Sequence, residues 1–122
     1  MGDRFGLSFR AAMVGGVLEH LAEIDVLEVL LDELATAPPR IVRAARALAR
    51  EKPLILHGVS MGLAGANGID PRRIERAARW VDKLGAEAFS EHLAFVRAGG
   101  TEIGHMAAPP RTPQSVETTC IN

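Results

Sequence analysis

The chain has one cysteine, Cys120, among its 122 residues. That excludes an internal disulfide framework and any paired-cysteine zinc or redox motif, and it predicts a reducing compartment. No apolar run approaches the roughly 20 residues that cross a bilayer, so no membrane association is expected. The opening Met1-Gly-Asp-Arg-Phe lacks a basic segment followed by a long apolar core. No secretory signal is therefore expected, and the chain reads as soluble and cytoplasmic. Charge of one sign is not in excess either: 14 basic against 15 acidic residues leave a formal net charge of −1. That is too little positive charge to track a phosphate backbone, so nucleic acid is not an expected partner. The sequence carries no Ser-His-Asp arrangement and no HExxH. Its glycine-rich stretch Gly58-Val-Ser-Met-Gly62-Leu-Ala-Gly65 lacks the Lys-Ser/Thr ending of a P-loop and the GxGxxG of a dinucleotide turn.

What is present is an alternation of strand-like and helix-like segments, which favours a parallel α/β arrangement in a single small domain. Residues 5–10 predict a short first strand. Met13, Val17, Leu21 and Ile24 fall at helical spacing and predict a helix over 13–24, weakened by Gly15 and Gly16. Residues 25–31 predict a buried strand with one charge inside it, Glu28. Pro38-Pro39 suits a helix entry, and Ile41, Ala44, Ala45 and Leu48 form its apolar stripe. Arg40, Arg43, Arg46 and Arg50 lie mostly off that stripe, as on a solvated helix face. Pro53 introduces a third strand ending at His57-Gly58, followed by a loop over 58–68. Asp70 as N-cap and Pro71 at the first helical position open a helix with Ile74, Ala77, Ala78, Val81 and Leu84 inward, closed by Gly85. Trp80 joins the helix packing. A fourth strand is expected over 87–93, a hairpin over 94–106 turning at Gly99-Gly100, and a last helix from Thr112-Pro113, where Cys120 at helical spacing from Val116 reads as a packing residue.

Two strand ends carry metal-capable side chains: Leu54-Ile-Leu-His57-Gly and Ala88-Phe-Ser-Glu91-His92. Parallel βα folds place their chemistry at the carboxyl ends of strands. Alternation along the fourth strand puts Ala88, Ser90 and His92 on one face and Phe89, Glu91 and Leu93 on the other. His92 is then the more direct metal ligand, with Glu91 either supporting it or reaching the ion where the strand breaks. His57 and His92 on neighbouring strands would start roughly 5 Å apart. Taken alone, His57 fits equally a hydrogen bond to a loop carbonyl, and Glu91 a structural salt bridge. Glu28 is a further candidate donor, because a buried carboxylate must be paired or bound; its alternative partner is Arg10. His20 and His105 read as surface residues.

The chain stops about two turns into its last predicted helix, and four strands with helices leave two apolar sheet edges. The expected fold is thus a TIM-type (β/α)8 barrel of which residues 1–122 form roughly the first four βα units, the N-terminal half of one domain with no second domain. A non-catalytic half-barrel that pairs its open edges as a homodimer is the structural alternative.

Gly6-Leu-Ser-Phe-Arg10, Ile24-Asp-Val-Leu-Glu28-Val, Leu56-His57-Gly-Val-Ser, Ser90-Glu91-His92-Leu-Ala-Phe and Pro109-Pro-Arg-Thr112 together resemble the multinuclear non-haem iron-dependent oxidative enzymes, a family long classed as a domain of unknown function. The likeness runs from about Arg4 to Asn122. It implies a barrel holding two or three iron ions at its carboxyl end, with dioxygen as co-substrate and ribosomally made precursor peptides, often modified at cysteine, as substrates. It also implies a partner protein that presents the peptide. By motif, His57 and His92 look like iron ligands, and Glu91 matches the family motif as ligand or support. Further acidic and histidine ligands of the family lie on later strands, beyond Asn122. A redox-neutral metal-dependent barrel, isomerase-like or phosphodiesterase-like, is the alternative enzyme reading.

Overall fold

Four short apolar segments pair into a parallel sheet in the order in which they occur along the chain. In the computed structural model, which describes residues 2–122, these are β1 (Gly6–Phe9), β2 (Val26–Leu30), β3 (Leu54–Gly58) and β4 (Ala88–Glu91), ordered β1-β2-β3-β4. The connections are helical: α1 (Val14–Glu19) between two 3-10 turns, α2 (Leu31–Thr36) and α3 (Pro39–Glu51), and α4 (Pro71–Leu84). After β4 come an antiparallel hairpin, β5 (Phe95–Ala98) and β6 (Thr101–Ala107), and a last helix, α5 (Pro113–Ile121).

Sequential strand order has a consequence for layering. Right-handed crossovers that always step in one direction put every helix on the same face. The helix-facing side carries the core: Phe9, Leu27, Val29, Leu54 and Leu56 pack with Val17, Leu34, Ala45, Leu48, Ala77 and Leu84. The other face carries Ser8, Glu28, Leu30, Ile55, His57 and Ser90, none of them fully buried. One face is thus a finished core and the other a half-open, more polar surface.

Local signals explain most boundaries. Asp70 accepts the Arg72 N–H at 3.0 Å as N-cap of α4, and Gly85 ends that helix at φ 63°. Gly99 and Gly100, both at positive φ, make the two-residue turn of the hairpin. Arg4 ahead of β1 bonds Glu87 ahead of β4 at 2.6 Å, tying the outer strands together at the end away from His57.

Several expectations need correction. The helix expected over 13–24 is broken into α1 and 3-10 turns, because two adjacent glycines make a continuous helix costly. Within it Val17 and Ile24 are buried, whereas Met13 is exposed. The strand expected to run through Leu31 stops at Leu30, where the short α2 begins with Asp32 and Glu33 favourably placed in its first turn. On α4, Ile74 and Ala78 are exposed. Arg73 and Arg76 are half-buried instead: Arg73 donates to the Ser60 carbonyl in the loop after β3, and the Arg76 guanidinium lies 3.9 Å from the Asp32 carboxylate on α2. Cys120 is exposed, and α5 buries no residue. The arginine-bearing face of α3 is solvated and its Ala45 and Leu48 are buried, as the periodicity requires.

Candidate metal centre

The register fixes the site. His57, one residue from the end of β3, is the Cα partner of Ser90 in β4, so both side chains leave the sheet on the half-open face. His92 lies just past the end of β4 rather than within it and is exposed. It is therefore not directly across from His57, as a longer fourth strand would have made it, but two residues beyond that partner. The rings nonetheless meet, with centroids 4.8 Å apart and planes tilted by 59°. The His57 Nδ1 lies 2.8 Å from the Ser90 hydroxyl oxygen, leaving Nε2 as the nitrogen for a ligand.

Glu91 stands elsewhere. Its side chain leaves β4 on the side of Phe89, where its carboxylate accepts the His92 N–H at 2.9 Å and the Met61 N–H at 3.4 Å. Burial raises its carboxyl above the ordinary glutamate range, against the pull of those two amides. The carboxylate fills the space over Gly58, where an added Cβ would run into it and approach the Phe89 ring to 3.0 Å. Gly58→Ala is accordingly expected to push Glu91 off both amides and to cost about 1–3 kcal/mol of stability, readable as a lowered melting temperature. Glu28 occupies the half-open face one step below His57, in register with Ile55 and with Ser8. Arg10 is paired to Glu33 at 3.0 Å. The Ser8 hydroxyl beside Glu28 is buried without a hydrogen-bond partner among the described residues. His20 bonds Glu23 at 2.9 Å on the surface, and His105 is exposed on the hairpin.

The loop behind His57 is held by a network that sequence reasoning missed. Asp32 accepts the Val59 N–H at 3.0 Å and the Ser60 hydroxyl. Arg97 donates to the Ser60 and Met61 carbonyls at 2.6 and 2.8 Å, and Arg73 adds a bond to Ser60 at 3.1 Å. Glu102 joins the two guanidiniums, 2.6 Å from Arg73 and 3.0 Å from Arg97. The Glu102 carboxyl is held below its ordinary range, first by the Arg97 hydrogen bond. Only the position of Asp32, just after a strand end, hinted at this arrangement.

Chemically, the pair is two imidazole side chains at the ends of adjacent strands, a donor type that suits ferrous iron, zinc or copper. No three His, Cys, Asp or Glu side chains converge among the described residues. The residues therefore fit two positions of a coordination sphere. No helix of the described residues is long and apolar enough to cross a membrane.

These features define a class: a sequentially wound parallel α/β unit with paired histidines at the carboxyl ends of its last two parallel strands. The sequence profile of the RiPP precursor modification enzyme family MbnB/TglH/ChrH matches residues 4–122, and the chain belongs to that family. Its curated relatives carry the name UPF0276 protein. That of Streptomyces avermitilis is 32% identical over 96% of this chain and 25% of its own length. The Rhizorhabdus wittichii relative is 28% identical over 97% of this chain and 43% of its own, and the Paraburkholderia phytofirmans one 29% over 94% and 38%. The chain thus spans between about a quarter and about two fifths of the length of these relatives.

Proposed function

We propose that residues 1–122 are the N-terminal half of a TIM-type barrel that binds iron at its carboxyl end and uses dioxygen to modify precursor peptides, often at cysteine. The observation that carries this reading is the meeting of His57 and His92 at 4.8 Å on the half-open face of the sheet. Membership of the peptide-modification family supports the substrate class. A barrel explains the layering: its remaining strands would cover the face that bears Glu28, Ser8 and His57 and would bring further donors to the pair.

In this account His57 and His92 hold the metal, and Glu91 serves by fixing the amides of Met61 and His92. Bound iron supplies the one-electron chemistry that dioxygen requires. The chain's own part is to fix the ligands and, with the rest of the barrel, to exclude water. A partner protein would present the precursor peptide, and no part of the account needs a membrane or nucleic acid. The test is metal identity. Protein purified without oxygen is expected to carry ferrous iron that oxidises in air. Zinc or manganese with full activity in air would instead establish the redox-neutral reading. The outer edges of β1 and β4, unpaired among the described residues, support the alternative, a non-catalytic half-barrel that pairs as a homodimer, which a concentration-dependent doubling of mass without bound metal would reveal.

A further inference from the structure

His57 is bracketed by two residues of a single chain segment. Ser90 and His92 are two positions apart and leave the backbone on the same side, with the His57 ring set against both. Ser90 holds Nδ1 at 2.8 Å, and no other hydrogen bond to this ring is made among the described residues. Neither Glu28 nor Glu91, the carboxylates of these strands, bonds to it. The Ser90 hydroxyl in turn has no other partner there, so its proton is free to turn toward or away from the ring.

This matters because an imidazole that binds through Nε2 must carry its proton on Nδ1, and that proton needs an acceptor. A carboxylate could only accept. A hydroxyl both accepts and donates, so it bonds Nδ1 in either tautomer. In the free protein Ser90 can donate to a bare Nδ1. When Nε2 is engaged the hydroxyl rotates and accepts from Nδ1–H. The ring keeps one hydrogen bond and one orientation through the change, and no charge is introduced beside it.

The geometry points to Ser90 as the positioning residue that presents Nε2 of His57 to the metal. This rests on the metal-binding role proposed for His57 and His92. Its consequence is that the serine preceding Glu91-His92 acts on affinity through His57, from the neighbouring strand.

The experiment is a titration of the protein with Co(II), read by its visible ligand-field bands, alongside Ser90→Ala, Ser90→Thr and His57→Ala. Ser90→Ala is expected to weaken Co(II) binding about 10-fold to 100-fold, the range for losing a partner of a ligating histidine. Ser90→Thr, which keeps the hydroxyl on the half-open face, should restore it. The imidazole 15N shifts of His57 provide a second readout: in the Co-free alanine variant the ring nitrogens should shift toward solvent-averaged values. Ser90→Ala that binds Co(II) like the parent would overturn the inference, whether or not it melts earlier. If binding persists in His57→Ala, or if the parent takes no Co(II), the metal role of His57 fails and this inference fails with it.

Discussion

Replacing His57 or His92 by alanine is expected to remove most of the iron from the protein, whereas His20→Ala leaves it in place. Each imidazole is half of the proposed donor pair, whose ring centroids the fold brings to 4.8 Å. Losing only the hydrogen-bond partner of a ligating histidine costs 10-fold to 100-fold in affinity, so losing the ligand should cost about 100-fold or more. His20 sits on the surface, bonded to Glu23, away from the sheet's carboxyl end. The check is the ratio of iron to protein after purification without oxygen. Equal losses from all three substitutions would show that the change acts through general destabilisation rather than at this pair.

Arg97→Ala is expected to be strongly destabilising although the residue lies outside the hydrophobic core. The Arg97 side chain is 15% exposed and makes two charge-assisted bonds to the Ser60 and Met61 carbonyls, besides its pairing with Glu102. Bonds to charged groups contribute about 1.5–3 kcal/mol each where desolvated. With partial exposure, a loss of about 3 kcal/mol in unfolding free energy is expected, measured by urea denaturation. Arg97→Lys should recover only part, since an ammonium cannot span both carbonyls. The same cluster sets an acid response. The Glu102 carboxyl titrates below its ordinary value, so the folded state holds the proton less tightly than the unfolded one. Its stabilising contribution is present above the unfolded value and is lost as pH falls through the lower folded one. Melting temperature should therefore fall with acidification in that window, and less so in Glu102→Gln. An acid response unchanged in Glu102→Gln would remove Glu102 from the account.

Much of this arrangement was legible in the sequence because its signals are local. Alternation over Leu54–Gly58 separates a core face from a His57 face, and Asp70-Pro71 with Gly85 marks both ends of α4. The same alternation put Ser90 and His92 together, and the structure keeps them on one side although the strand ends at Glu91. What could not be read was register and reach. Nothing local says that His57 lies opposite Ser90 rather than His92, since pairing is decided by the packing of the whole sheet. The six residues of α2 are too few to show a helical period. Arg73 and Arg97 look like surface charges until their guanidinium groups are seen to donate to the carbonyls of the loop after β3. Cys120 misled in the opposite sense: helical spacing predicts a buried stripe only where something lies against the helix, and α5 buries nothing.

The most direct test of the central claim is iron X-ray absorption on protein loaded with ferrous iron in the absence of oxygen. The account predicts a nitrogen and oxygen shell with the outer scattering of imidazole, reduced in both His57→Ala and His92→Ala. A shell without imidazole scattering, or one dominated by the sulfur of the exposed Cys120, would contradict it.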